Sequence, residues 1–135
     1  MIALDTNVLV RFLTQDDPEQ GRLASILIGG LTEADPGYVF REVLVELVWV
    51  LERSYGFERD EIARALEGLL TASELLIETG DDVASILELY ETDGYGFANL
   101  MIRQAARRAG AQALMTFDWK AARLDGVEVP RAATS

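Results

Sequence analysis

The sequence predicts an α/β fold in three layers, with a parallel sheet covered by helices on both faces. Short apolar segments of strand length alternate with amphipathic helical segments along the chain, and this alternation is typical of a parallel sheet. The chain has 135 residues, 50% of them hydrophobic, which is enough for one domain around a core. We therefore expect a single domain over residues 1–135.

Residues that typically start or end helices mark the bounds of the first predicted elements. Asp17 caps a helix that Pro18 opens, and the glycine pair 29–30 ends it. Residues 35–37 form a turn. The predicted elements are a strand at 2–4, a helix from 6 to a break at 15–18, a helix from 18 to 29, a strand at 38–40 and an apolar helix at about 41–53.

The second half of the chain continues the alternation. Apolar residues at three- and four-residue spacing mark its helices, and glycines interrupt them. The predicted elements are a helix around 62–70, a strand at 75–77, a helix around 83–90, a glycine loop at 92–96, a helix at about 97–109, a strand at 113–116, a helical turn opening at 117–120 and an edge strand at 127–129.

Composition limits the chemistry that this chain can perform. It contains no cysteine and no histidine, which excludes disulfides, thiol chemistry, histidine bases and the usual zinc sites. A metal must therefore be a hard cation held by oxygen ligands. No apolar run is long enough to span a membrane, and the N-terminus lacks a signal segment, so we expect a cytoplasmic protein.

The charge is distributed unevenly along the chain. The net charge is −11, but residues 101–135 hold six basic residues against three acidic ones, a local net charge of +3. The remaining 100 residues carry −14. A basic segment on an acidic body is either a solvated helix face or an attachment point for an anionic partner.

Asp5 is the first candidate functional residue. It directly follows the apolar strand and precedes Thr6 and Asn7. Its carboxylate therefore stands at the carboxyl end of a strand, where ligands bind in open α/β sheets. The alternative is that Asp5 only caps the helix that begins near Thr6.

Three further residues could contribute to such a site. Glu46 lies in a strongly apolar helix, so it must reach the surface, pair with an arginine or bind a cation. Asp118 follows a strand, as Asp5 does, or else caps the turn that begins at Trp119. Asn99 lies in the first turn of its helix, either as a ligand or as an ordinary polar residue.

Three segments of the sequence resemble the motifs of PIN-domain proteins. They are Ile2–Arg11, Val45–Leu51 and Thr116–Asp118, which occur in the family's order over essentially the whole chain. Within this family the chain resembles the VapC-type toxins of bacterial toxin–antitoxin pairs. Those toxins are Mg²⁺- or Mn²⁺-dependent ribonucleases that a VapB-type antitoxin holds inactive.

The resemblance implies a fold and a set of site residues. The family sheet has the strand order 3-2-1-4-5, which makes the strands before Asp5 and Asp118 neighbours. The family's acidic positions fall on Asp5, Glu46, Asn99 and Asp118, and the implied metal ligands are Asp5, Glu46 and Asp118. The small polar residues that accompany them are Thr6, Asn7 and Thr116.

The resemblance also implies an activity and partners. We expect an endoribonuclease toxin in which a metal-activated water attacks RNA, with a cognate antitoxin as inhibitor. Arg103 and Lys120 are candidate RNA contacts on an otherwise repulsive acidic protein. Relatives dimerise, and the apolar residues near Trp49 and Tyr55 exceed what one small core needs, so we expect a homodimer.

The chain departs from the family at two positions. Asn99 stands where the family has an aspartate, and Gly96 stands where close relatives often have another. Two negative charges are therefore missing, one of them from the core acidic set, a departure that bears on the activity and not on the fold. The competing hypothesis is a catalytically weakened PIN-domain protein that acts only through its dimer and its antitoxin.

Overall fold

The computed structural model describes residues 1–132, so the last three residues of the predicted domain lie outside the described residues. The chain forms two compact units, one over residues 1–84 and the other from Ser85 onward. The prediction of a single domain remains a prediction. Among the described residues, no helix combines the length and the apolarity needed to cross a bilayer.

The first unit contains a three-stranded parallel sheet and most of the helices. Its elements are β1 (Ile2–Ala3), α1 (Thr6–Thr14), α2 (Pro18–Gly29), β2 (Gly37–Val39), α3 (Arg41–Arg53), α4 (Arg59–Thr71), β3 (Leu75–Ile77) and the start of α5 (Gly80–Glu91). The strands pair in the order β1-β2-β3, with Ile2 opposite Gly37 and Tyr38 opposite Leu76. Helix α1 packs against both α2 and α3.

Local sequence explains where the helices of this unit begin and end. Asp17 accepts a hydrogen bond from the Gln20 N–H at 3.0 Å and caps α2, whose first residue is Pro18. Gln15 ends α1 in the left-handed conformation, with φ at 54°. Gly37 lets β2 pack closely, because a Cβ atom there would lie 2.8 Å from the Leu31 side chain and would force that side chain to shift.

The core of the first unit is built from aliphatic side chains on the inner faces of its helices and strands. Burying one such side chain contributes about 1.5–3 kcal/mol relative to leaving it exposed. The fully buried members include Leu9, Val39, Leu44, Leu47, Leu51, Ile62 and Leu66. This core fixes α1 and α3, the two helices that carry the N-terminal candidate residues.

The second unit is described over residues 85–132. It contains the end of α5, then α6 (Phe97–Arg108), β4 (Leu114–Met115), a 3₁₀ turn (Ala121–Arg123) and β5 (Val127–Glu128). Strands β4 and β5 pair in parallel, with Leu114 opposite Val127. Tyr90 and Phe97 are buried and form an edge-to-face pair with ring centroids 5.8 Å apart.

The predicted α/β class with parallel strands is confirmed, with small shifts at element ends. The strand predicted at 2–4 ends at Ala3, and the turn predicted to open at 117–120 becomes helical at Ala121. Within each sheet the order is the predicted one, 3-2-1 and 4-5. The predicted adjacency of β1 and β4 stays a prediction.

Candidate functional site

Asp5 and Glu46 line one cleft in the first unit. This cleft, here called the acidic cleft, has a volume of about 310 Å³. Sheet pairing continues up to the residue before Asp5, since the Leu4 N–H donates to the Tyr38 carbonyl at 2.9 Å. Asp5 thus stands at the carboxyl edge of β1. The lining residues are Asp5, Thr6, Asn7, Val10, Arg11, Glu46, Val50, Ser54 and Tyr55.

Asp5 caps α1 and is exposed at the cleft at the same time. Its Oδ1 atom accepts a hydrogen bond from the Thr6 N–H at 2.8 Å. Capping and ligand binding are therefore compatible, because a carboxylate has a second oxygen and further lone pairs. The cap fixes the direction of the carboxylate.

Thr6 contributes an unusual buried group to the same cleft. Its side chain is 5% exposed, and its Oγ1 atom has no hydrogen-bond partner among the described residues. A buried hydroxyl without a partner costs about 1–3 kcal/mol. A ligand or an ordered water that reached this hydroxyl would remove the cost.

Glu46 reaches the surface from an otherwise apolar helix. Its neighbours Leu47 and Val48 are buried, whereas Glu42, Glu46 and Trp49 are exposed. Of the three alternatives for Glu46, pairing with an arginine is not observed, because its carboxylate forms no ion pair within the described part of the chain. Glu46 is therefore a solvent-facing carboxylate on the wall of the acidic cleft.

Sequence reasoning missed Arg11 and Tyr55, which hold one end of the cleft. Arg11 Nη1 donates to Asp16 Oδ1 and to the Tyr55 hydroxyl, both at 3.0 Å, and its Nε donates to Gln20 at 2.8 Å. The Tyr55 hydroxyl donates to Asp16 Oδ2 at 2.6 Å. This bond, followed by those from Thr14 and Arg11, lowers the pKa of Asp16 to about 2.

A helical-spacing signal could have found part of this set. Arg11 lies four residues after Asn7 on α1, and Val50 and Ser54 lie four and eight residues after Glu46. Residues at that spacing share a helix face. Because Asn7 and Glu46 were already candidates, the helix faces that carry them also indicate the other lining residues at that spacing.

Asn99 and Asp118 form the corresponding pair in the second unit. Asn99 is the third residue of α6, and its Nδ2 atom donates to Asp118 Oδ2 at 3.2 Å. Asp118 Oδ1 accepts the N–H groups of Lys120 and Ala121, each at 3.0 Å. The Ala121 N–H, the Asn99 amide and Lys120 lower the pKa of Asp118, so this carboxylate is ionised at neutral pH.

Thr116 and Gly96 flank this pair. The Asp118 N–H donates to Thr116 Oγ1 at 3.0 Å, which fixes the backbone that carries the carboxylate. A Cβ atom at Gly96 would lie 3.3 Å from Asn99 Nδ2. The two positions at which the family has additional aspartates are therefore neighbours in the structure.

The two predicted RNA contacts both have structural partners. Arg103 is 8% exposed, and its Nε donates to the Asp125 carbonyl at 2.8 Å, so it fixes the turn before β5 and does not face solvent. We therefore withdraw Arg103 as an RNA contact. Lys120 is exposed, but its Nζ donates to the Gly94 carbonyl at 2.8 Å and lies 5.7 Å from the Tyr95 ring centroid.

The acidic cleft fits a hard divalent cation. Within residues 1–132 no three Asp, Glu, His or Cys side chains form a cluster that could hold a metal by themselves. Mg²⁺ rarely needs such a cage, since it is usually held by one or two carboxylates, retained waters and substrate phosphates. Two carboxylates beside a buried hydroxyl that has no partner match this donor set.

Comparison with known proteins agrees with this geometry. The PIN domain family model matches residues 2–127, which span both units, and the chain therefore belongs to the PIN-domain family. It is also similar to a VapC ribonuclease of Aquifex aeolicus (strain VF5), with 25% identity over 117 residues that cover 87% of each chain. The predicted PIN-domain resemblance is thus confirmed.

Proposed function

We propose that this protein is a metal-dependent endoribonuclease toxin that cuts RNA with a metal-activated water and is neutralised by a VapB-type antitoxin. The observation that carries the proposal is the acidic cleft. There Asp5 and Glu46, which lie in two separate family motifs, share one opening at the carboxyl edge of β1. The similarity to a VapC ribonuclease gives the substrate class.

The proposed metal ligands are Asp5, Glu46 and Asp118, with Asn99 as a neutral fourth member. Their proposed role rests on the order of the family motifs along the chain and on the family match over residues 2–127. Bound Mg²⁺ or Mn²⁺ supplies a water of lowered pKa and positive charge for the phosphate. The capped Asp5 and the hydrogen-bonded Asp118 provide oriented carboxylates.

One observation favours the competing function, a weakened PIN-domain protein that acts by binding alone. The Asn99 amide donates a hydrogen bond to Asp118 Oδ2, whereas an aspartate at that position would add a ligand oxygen. Under this alternative the chain keeps its partners and cuts nothing. Measurement of Mn²⁺ affinity separates the two, and binding weaker than about millimolar favours the alternative.

We also propose a homodimer that acts on RNA in the cytoplasm. Trp49 on α3 is 56% exposed, and a large aromatic side chain left in solvent is typical of an association surface. Light scattering at micromolar concentration tests this proposal. A monomeric mass would contradict it.

Cleavage of a labelled single-stranded RNA by the purified chain with Mn²⁺ tests the proposed activity. Glu46→Gln removes the charge from the acidic cleft and is expected to reduce cleavage by at least about 100-fold. The matched control is Glu42→Gln, one turn earlier on α3, because Glu42 is also exposed but does not line the cleft. Equal cleavage by wild type and Glu46→Gln would refute the assignment.

A further inference from the structure

Two aromatic side chains on either side of Asp118 are almost fully exposed. Phe117 is 77% exposed and Trp119 is 72% exposed. Burial of their apolar surface would be favourable, and most of that surface is left in contact with water. Such side chains in solvent indicate a surface that binds something.

Trp119 also lines a cavity of about 470 Å³ in the second unit, here called the Trp119 cavity. Val127 and Val129 give it apolar surface, and Arg123 and Arg131 give it positive charge, while Glu128 is an acidic lining residue. Its volume is in the range of small-ligand sites. The lining residues are Trp119, Ala122, Arg123, Val127, Glu128, Val129 and Arg131.

We propose that the Trp119 cavity binds a base of single-stranded RNA, with Trp119 stacked on the base and Arg123 and Arg131 near the backbone phosphates. Aromatic rings beside positive charge are the usual means of holding unpaired nucleotides, because every base presents a stacking face. The proposal rests on the proposed ribonuclease function and names where the substrate is held.

Position and charge favour RNA over a second protein chain as the occupant. Trp119 directly follows Asp118, so their Cα atoms are only about 3.8 Å apart. A nucleotide stacked on Trp119 would therefore be held by the residue that follows a proposed metal ligand in the chain, although Asp118 itself does not line the cavity. The cavity also belongs to the one stretch of sequence, residues 101–135, with a net positive charge.

The closing experiment measures RNA binding by the full chain in EDTA at low salt, so that binding does not depend on cleavage. The probe is a fluorescein-labelled single-stranded RNA of mixed sequence, followed by anisotropy. Trp119→Ala is expected to weaken binding at least about tenfold, which lies within the range for loss of one stacked base. Trp119→Phe keeps a stacking ring and is expected to restore most of the affinity.

The chain offers a matched control, because Trp49 is its only other tryptophan and is also exposed. Trp49→Phe, which keeps an aromatic ring at the proposed association surface, is expected to leave RNA affinity unchanged. In a Trp49→Phe background, RNA is expected to quench the remaining Trp119 emission, a signal that a merely structural role would not produce. Arg123→Ala combined with Arg131→Ala is expected to reduce the salt slope by about 1.4, or 0.7 per phosphate contact.

Each outcome decides between defined alternatives. Unchanged affinity and unquenched emission in the Trp119 experiments overturn the proposal, as does a wild-type chain that binds no RNA. If Trp119→Ala changes the mass from dimer to monomer without weakening RNA binding, the cavity is a protein interface and the proposal fails. RNA binding that depends on Trp119 without any cleavage refutes the proposed function alone.

Discussion

The two acid-bearing regions of this chain differ in how much of their hydrogen-bonding capacity the protein itself uses. In the acidic cleft, Asp5 accepts one backbone hydrogen bond, and the Thr6 hydroxyl has no partner among the described residues. In the second unit, Asp118 accepts two backbone N–H groups and the Asn99 amide. The cleft is left open to a ligand, whereas Asp118 is already satisfied.

This difference shows how the charge of the residue at position 99 affects its neighbour Asp118. Asparagine and aspartate are nearly the same size, but asparagine carries an NH₂ group that satisfies a neighbouring carboxylate. An aspartate at position 99 would instead repel Asp118 until a cation came between them. We therefore expect the second region to contribute less to metal binding than it would with aspartate at position 99.

The largest expected effect comes from removing the charge of Asp5 while keeping its cap. Asparagine caps helices about as well as aspartate, so Asp5→Asn should change the free energy of unfolding by only a few tenths of a kcal/mol. Cleavage should fall by at least about 100-fold, because the variant loses a charged metal ligand. Denaturant melts and RNA cleavage in Mn²⁺ measure the two quantities.

The control for this variant lies at the next helix. Asp17 caps α2 through the Gln20 N–H, and it does not line the acidic cleft. Asp17→Asn should therefore leave both stability and cleavage nearly unchanged. If Asp5→Asn cleaves as well as Asp17→Asn does, Asp5 acts only as a cap.

Thr6→Val tests whether the cleft keeps a buried polar atom for a ligand. Valine fills the same space without an unpaired hydroxyl, so the metal-free protein should gain about 1 kcal/mol of unfolding free energy. Mn²⁺ affinity should fall severalfold, since the cleft loses an oxygen atom. Thermal melts without metal measure the expected gain in stability, and calorimetry with Mn²⁺ measures the expected loss of affinity.

Thr14→Val is the control on the same helix, because it removes a hydroxyl that has a hydrogen-bond partner. The Thr14 hydroxyl donates to the Val10 carbonyl at 2.7 Å, so its removal should destabilise the protein. Destabilisation by both valine variants would mean that the Thr6 hydroxyl already has a partner, such as a water, and that the cleft is not kept open.

The smallest expected effect concerns the pKa of Asp16 at the end of the cleft. The Tyr55 hydroxyl is the largest cause of its low value, about 2 against the ordinary 3.8, so Tyr55→Phe should raise this pKa toward 3.8. Because the folded-state pKa is lowered, the stabilisation is present above about pH 4 and is lost as the pH falls through 2. Carboxyl NMR titration measures the shift, and an unchanged midpoint would contradict it.

Much of the fold followed from local signals in the sequence. The Asp17-Pro18 helix start, the break after α1 and the apolar strands are determined by neighbouring residues, and the structure places them within a residue or two. The candidate pair Asp5 and Glu46 also emerged from local reasoning, since each is an acid in an apolar context. Their shared cleft agrees with that reasoning.

The contacts that sequence reasoning missed join residues far apart in the chain. Arg11 and Tyr55 are 44 residues apart, and Asn99 and Asp118 are 19 apart. The sequence shows the charge of Arg103 but not the Asp125 carbonyl that it binds, and Arg103 was therefore predicted to be a surface cation. Tertiary packing selects such partners, because helical periodicity shows which face a residue occupies but not which distant residue it meets there.

The central claim is that the neutral residue at position 99 limits metal binding, and calorimetric titration of Mn²⁺ into Asn99→Asp tests it directly. One added charge at about 4 Å, with an effective dielectric near 20, is worth up to about 4 kcal/mol before desolvation. Gln104→Glu is the control, because it adds the same charge to α6 beyond the first turn. We predict at least about tenfold tighter binding, roughly 1.4 kcal/mol, for Asn99→Asp alone. Equal Mn²⁺ affinity in wild type and Asn99→Asp would contradict the claim.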